Sequence, residues 1–360
     1  MVCAFPTLPT RYVIEALHKA IDDGALINCK FYDTDSEYMA MTEAMSSSAD
    51  GERVFLGTAI QGLLFMDDAL FNAAAIGLPI VMAIANNTVN VPINRKSDQS
   101  SALPHRDSGW VQLYAQSKQD AVDLFIQAYK IAEKTLLPVM VRLDGHTFYI
   151  DPAEVDIPEQ ALVDSFLPPK TFSEPVKGAL TPPFPAMVEP REFVTFRYEL
   201  HQKSLQALEI IPEIAQEFTK IFKRGSGGLL STYHLDGAET VVVSKGSLML
   251  AIGEIAEESQ KGAQSFGAVG IISFRPFPFS ALAEAVNGAK RIIVIERNIA
   301  VGIGGILADN VRMALAGREV AQYTVIAGVG GIPVSKAALE GVIALAMEDK
   351  LAPLTFLDLD

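Results

Sequence analysis

The chain has 360 residues, 49% of them hydrophobic, and its 29 Lys plus Arg stand against 43 Asp plus Glu for a formal net charge of -14. That length exceeds what one hydrophobic core accommodates, so two domains are expected. With no basic run or aromatic-interleaved basic stripe, the acidic balance argues against nucleic acid as a partner and disfavours anionic membrane faces.

In chain order, apolar runs at 2–5, 30–33, 53–57, 80–85 and 139–143 read as strands. Between them, 11–21, 37–48, 66–76 and 120–134 carry apolar residues at helical spacing. This alternation is the pattern of βα units and a mainly parallel sheet. A strand opening at residue 2 has no helix before it, which suggests a shortened or displaced start. Prolines 168, 169, 175, 182, 183, 185 and 190 remove backbone donors between 166 and 191 and mark a linker. The stretch 193–223 then spaces Leu205, Leu208, Ile211, Ile214, Phe218 and Ile221 at threes and fours, a helix expected to pack between domains. A second α/β pattern follows, with strands at 240–244, 267–273, 291–296 and 323–327 and helices at 247–261, 279–285, 304–316 and 335–347. The fold class is therefore α/β, with two open, mainly parallel domains at 1–165 and 236–360, joined by a proline-rich linker and connecting helix at 166–235.

Only Cys3 and Cys29 are present, without CxxC or Cys/His spacing, so this chain alone builds neither a disulfide framework nor a zinc or iron–sulfur site. Two isolated thiols suit a reducing cytoplasm, and no secretory signal pattern opens the chain. The most apolar stretches, 77–85 and 291–295, fall far short of the roughly 20 residues that a membrane span requires. His18, His146, His201 and His234 are scattered without ligand spacing, so no metal is expected on this chain.

Three places concentrate polar chemistry where strands end. Glu37 follows Asp35-Ser36 at a strand-to-helix transition, where it either complements the helix macrodipole or faces a ligand. Thr58-Ala-Ile-Gln61-Gly62-Leu sets small and polar residues at the same edge, as an ordinary capped turn or as a place where Gly62 admits a ligand. Arg106, in His105-Arg-Asp-Ser-Gly-Trp110, follows a long polar stretch at 86–104 and fits either a surface ion pair or two-pronged binding of a small carboxylate. In the second half, 296–305 and 327–331 imitate glycine-rich nucleotide loops, but neither has the GxGxxG or P-loop spacing. Glycines serving close helix docking explain them better.

In order along nearly the whole chain, these segments resemble the α subunit of pyruvate:ferredoxin oxidoreductase and its relatives. Ala4-Phe5-Pro6-Thr7-Leu8-Pro9-Thr10 is similar to that family's AYPITPxT turn and Ser36-Glu37 to its SE segment. Thr58-Ala-Ile-Gln-Gly-Leu resembles its TSQGL-type turn and Arg106-Asp-Ser-Gly-Trp its RDSGW turn. Segments 136–145, 166–169 and 272–278 fall in family order as well.

The resemblance implies a transketolase-like pyrimidine-binding domain followed by a transketolase C-terminal-like domain. It implies thiamine diphosphate, bound in part by Pro6, Glu37, Gln61 and Gly62, with Glu37 on the aminopyrimidine ring nitrogen. Arg106 would hold the substrate carboxylate, beside Thr7 and Leu8. No GDG occurs here, so a partner chain would grip the diphosphate and its magnesium. The same resemblance places [4Fe-4S] clusters on partner chains of the β, γ and δ type, with ferredoxin or flavodoxin as electron acceptor and coenzyme A as acyl acceptor. The expected reaction is oxidative decarboxylation of a 2-oxoacid, pyruvate first, then branched or aryl acids, then oxalate. Leu8 departs from the family's threonine and removes a hydroxyl from the substrate side. A catalytically altered subunit with an assembly or docking role is the alternative, and a dinucleotide oxidoreductase using the second domain a remoter one.

Overall fold

The computed structural model describes residues 1–5, 10–88, 94, 96–145, 154–169, 187–260 and 265–359. The first half contains β1 (Val2–Ala4), α1 (Arg11–Asp22), β2 (Phe31–Asp33), α2 (Glu37–Ala49), β3 (Val54–Ala59), α3 (Ile60–Phe65), α4 (Asp67–Ile76), β4 (Ile80–Asn86), β5 (Val111–Tyr114), α5 (Lys118–Thr135) and β6 (Val139–Asp144). After α6 (Gln160–Phe166) and the long α7 (Pro190–Phe222) come β7 (Leu230–Tyr233), β8 (Thr240–Lys245), α8 (Leu248–Ser259), β9 (Gly267–Ile271), β10 (Ser273–Arg275) and α9 (Phe279–Ala285). The chain continues with β11 (Arg291–Glu296), α10 (Ile306–Ala314), β12 (Ala321–Ile326), α11 (Lys336–Met347) and β13 (Leu354–Phe356).

Two sheets result, one of seven strands in the order β10-β5-β6-β4-β3-β1-β2 and one of six in the order β13-β12-β11-β8-β9-β7. All pairings are parallel except β10 with β5 and β7 with β9. All seven residues of β4 are buried, as expected for a parallel strand with both faces covered. Helix ends follow local chemistry. Ser36 Oγ accepts from Met39 N at 3.2 Å to start α2, and Gly77, at φ 84°, closes α4 in the left-handed conformation.

Most expected elements appear within a few residues of their expected ends, and the exceptions are instructive. The run expected as one strand at 267–273 divides: β9 stays in the second sheet, whereas β10 crosses over and pairs antiparallel with β5 in the first. The outer edge of β5 would otherwise expose unpaired backbone groups, and β10 covers it. The long polar stretch at 86–104, for which no regular element was expected, ends in a 3₁₀ helix at Ser100–Asp107, after an isolated bridge between Asn87 and Ser97. Helix α7 packs on α5 against the first sheet, through Ala207, Ile211, Ile214, Phe218 and Phe222. That apolar stripe lets the helix run through Pro212, which forgoes a backbone hydrogen bond.

Candidate active site

Along the first sheet, β1 to β2 runs one way and β3 to β4 the other, so the connections diverge between β1 and β3. Ligands in open α/β sheets sit outside the carboxyl ends of strands at such a switch point. Glu37 opens α2 just after β2, and α3, which carries Gly62, follows directly from β3. The two converge closely. A Cβ built on Gly62 would lie 2.1 Å from Thr58 Oγ1, 2.6 Å from Glu37 Cγ and 3.0 Å from Glu37 Oε1. Any side chain at 62 would displace the carboxylate, so glycine there serves close approach.

Glu37 is 8% exposed, and its carboxylate accepts no hydrogen bond among the described residues. Its oxygens are not among the fully buried unpartnered atoms, so the carboxylate stands open to a donor from outside the described residues. Around it Tyr38, Met39, Leu64 and Phe65 expose apolar side chains, Phe65 to 72%. Gln61 is exposed on α3. Thr10 is buried, its Cβ 3.6 Å from where a Cβ on Gly57 would stand, so the chain re-enters beside β3. Pro6, Thr7 and Leu8 lie outside the described residues.

Arg106 sits on the 3₁₀ helix with its side chain one-third exposed, donating through Nη1 to the Leu103 carbonyl at 3.1 Å. Its Nε is 3.5 Å from Asp107, and the same carboxylate lies 3.8 Å from Arg275 Nε. Burial, with Arg106 nearby, pushes the Arg275 guanidinium down to about 10, against the pull of Asp107. His105, on the same turn, is buried with Nε2 3.2 Å from Asp67, and burial with the charge of Arg142 pushes it down to about 4.

A buried polar network between the two sheets escaped the sequence reading. Asp144, at the end of β6, accepts from Gln99 Nε2 at 2.7 Å and from Ser247 N and Oγ at 3.0 and 2.6 Å. Burial pushes its carboxyl up, but Arg297 and these hydrogen bonds outweigh burial and hold it low. Lys245, at the end of β8, donates to Gln99 and, at 2.9 Å, to Asn298. Burial brings Lys245 down to about 8, opposed by Glu296 and Asp144. The signal was available, since Asp144, Lys245 and Glu296 each end an apolar strand with a charge. Glu296 accepts from Leu307 N and Ala308 N at 2.8 and 3.0 Å, and a Cβ on Gly305 would stand 1.9 Å from its Oε1. The glycine-rich stretch thus seats α10 on a carboxylate of the chain itself, at the helix end where a nucleotide phosphate would have to bind.

Among the described residues no group of His, Cys, Asp and Glu could hold a metal ion, both cysteines are free, and no helix is long and apolar enough to cross a membrane. A cleft of about 650 Å³ between α5, α7 and β7, lined by Gln116, Asp120, Thr219 and Ser226, includes neither Glu37 nor Arg106.

Residues 1–220 match the family described as pyruvate flavodoxin/ferredoxin oxidoreductase, thiamine diphosphate-binding, and residues 238–338 match the pyruvate:ferredoxin oxidoreductase core domain II. Pyruvate synthase subunit PorA of Methanosarcina barkeri is 35% identical, over 94% of this chain and 86% of its own length. Ketoisovalerate oxidoreductase subunit VorA of Pyrococcus abyssi is 33% identical, over 92% of this chain and 84% of its own. Among solved structures, 2-oxoglutarate:ferredoxin oxidoreductase from Magnetococcus marinus, with 2-oxoglutarate, coenzyme A and succinyl-CoA bound, superposes with TM-score 0.69 at 16% identity over 97% of this chain. This chain spans 62% of that one. A split-gene transketolase superposes with TM-score 0.53 at 14% identity, over 98% of this chain and 91% of its own, so both structures speak to the fold alone.

Proposed function

The chain belongs to the pyruvate:ferredoxin oxidoreductase family, and from that membership we propose that it is the α-type subunit of a 2-oxoacid:ferredoxin oxidoreductase in which Glu37 is the group that engages thiamine diphosphate. The observation that carries this reading is the carboxylate of Glu37, on a residue only 8% exposed, without a hydrogen bond among the described residues and pressed against Gly62 at the switch point of the first sheet. Its chemistry fits an aminopyrimidine, whose ring nitrogen becomes a donor when protonated and is favoured in that form by an anionic acceptor in a dry site. The cofactor, when bound, supplies the stabilised carbanion chemistry that decarboxylation of a 2-oxoacid needs. Glu37 holds the proton on the ring nitrogen, Gly62 fixes where Glu37 stands, and Arg106 takes the substrate carboxylate. Pro6, Thr7, Leu8 and Gln61 complete the assignment to cofactor and substrate, with Leu8 shaping specificity.

The apolar rim formed by Tyr38, Met39, Leu64 and Phe65 suits a partner chain that closes the site, and in this reading that partner, rather than this GDG-lacking sequence, grips the diphosphate and its magnesium. Two free cysteines cannot ligate a cluster, so [4Fe-4S] centres and the route to ferredoxin or flavodoxin fall to further chains of the complex. Pyruvate is the favoured substrate, with coenzyme A as acyl acceptor, and a branched 2-oxoacid comes second.

The test is the complex assembled by co-expression with genomic neighbours, assayed for 2-oxoacid-dependent reduction of a viologen dye across a panel of acids. Glu37→Gln keeps the shape and removes the charge. It is expected to lower kcat by about 100-fold or more while the complex still assembles. Parental turnover in an assembled Glu37→Gln complex would refute the assignment.

A further inference from the structure

Gln112 stands inside β5, between Val111 and Leu113, and is fully buried. A glutamine is costlier to bury there than an apolar residue unless its amide is engaged. Its Oε1 has no partner among the described residues, whereas Nε2 donates to the His105 carbonyl at 2.9 Å. That carbonyl belongs to the peptide group joining His105 to Arg106, and it also accepts from Ser108 N, within the same turn, at 3.2 Å. The buried His105 side chain holds on to a different element, with Nε2 3.2 Å from Asp67 Oδ1 at the start of α4. The peptide that carries Arg106 is thus fastened both to the first sheet and to α4. The anchor in the sheet is firm, because Gln112 is in register with Met140 on β6 and with Arg275 on β10, so β5 has a neighbour on each edge. The Arg106 guanidinium itself is held only locally, by the Leu103 carbonyl at 3.1 Å and by Asp107 at 3.5 Å. Both of those neighbours lie on the 3₁₀ helix, so the guanidinium points wherever that helix is held.

We propose that Gln112 is a positioning residue for Arg106: its amide, fixed in the sheet, sets the peptide that carries Arg106 and with it the angle at which the guanidinium meets a substrate carboxylate. This inference rests on the reading of Arg106 as the group that takes that carboxylate. A guanidinium fork binds two carboxylate oxygens only when the two planes align. A small rotation of the peptide therefore leaves one prong without its acceptor. Ser108 N cannot prevent the rotation, since it moves with the turn.

Steady-state viologen reduction by the assembled complex tests this. Gln112→Met keeps the length and burial of the side chain and removes the donor. KM for the 2-oxoacid is expected to rise about 10-fold, the effect of losing one hydrogen bond to a charged group. Both kcat and the KM for coenzyme A should stay within about threefold of the parental values. A glutamine with a merely structural role would instead lower the active fraction, and kcat with it, and leave the KM for the acid alone. In Arg106→Lys, which has already lost the fork, adding Gln112→Met should change that KM by less than about threefold. A parental KM in Gln112→Met beside a raised one in Arg106→Lys overturns this inference and leaves the Arg106 reading standing. A parental KM in Arg106→Lys overturns both. A full second rise in the double variant, or an equal rise in the KM for coenzyme A, overturns this inference as well. If Gln112→Met does not assemble, Gln112→Asn, too short to reach the His105 carbonyl, carries the same expectations.

Discussion

Adding one methyl group at Gly62 probes the placement of Glu37 directly. The new Cβ would stand 2.1 Å from Thr58 Oγ1 and 2.6 Å from Glu37 Cγ, where nonbonded atoms normally keep about 3.5 Å or more. Both obstacles are side chains, so they move rather than the sheet, and by roughly 1 Å. Such overpacking costs about 1–3 kcal/mol. Gly62 lies within α3, so alanine recovers up to about 1 kcal/mol of helix propensity. The expected loss of stability is therefore modest, a few degrees in Tm. The loss of activity is not modest, because a displacement of about 1 Å at a reacting geometry costs on the order of 100-fold. The assay pairs initial rates of viologen reduction at saturating thiamine diphosphate with melting of the same preparation. A Gly62→Ala complex within about threefold of the parental kcat would refute the reasoning, since it would mean that Glu37 tolerates displacement or takes no part.

Gly341 is the matched control: a Cβ there meets nothing within 4 Å and the residue lies inside α11, so Gly341→Ala should raise stability by about 0.5–1 kcal/mol with activity unchanged. His105 titrates near 4 in the folded protein against an ordinary 6.5. The unfolded chain therefore binds the proton first, and stability is full above about 6.5 and lost as pH falls through 4, by up to about 3 kcal/mol. His105→Gln should flatten that limb of a denaturation-against-pH curve, and an unchanged slope would assign the loss to other groups. Asp144→Ala leaves Arg297, Gln99 and Ser247 facing a buried gap between the sheets and should cost about 3 kcal/mol in urea unfolding. A loss under about 1 kcal/mol would show that the network spans the sheets without holding them together.

Glu37 is legible in the amino-acid sequence because its signal is local: a strand ends, Ser36 caps a helix, and an acidic residue takes the first turn. Gly62 is legible for a similar reason, since a glycine just past a strand end invites close approach. The partner of that glycine is not, because residues 37 and 62 meet only when β2 and β3 flank β1. The short helices α3 and α6 and the strands β5, β7 and β13 are missed where apolar runs are brief and tertiary contacts decide the local structure. The lone polar residues Gln112, Tyr114, Arg142 and Asp144 sit in otherwise apolar strands, where alternation does not reveal what lies opposite.

By itself, the sequence determined the α/β class, nearly all helix positions, the order of the strands along the chain and the identity of the carboxylate at the strand-to-helix transition. Those features rest on period, capping and turn chemistry, which act over a few residues. Only the tertiary structure decided that β10 leaves its neighbours in the second half to cover the edge of β5 in the first sheet, that Asp144 and Lys245 share Gln99 across the two sheets, and that Arg142 is buried with no hydrogen-bond acceptor for its Nε or Nη1 among the described residues. Each of these depends on what a distant segment places opposite a strand edge or a charge, and burial, unlike helical period, is set by that opposite segment.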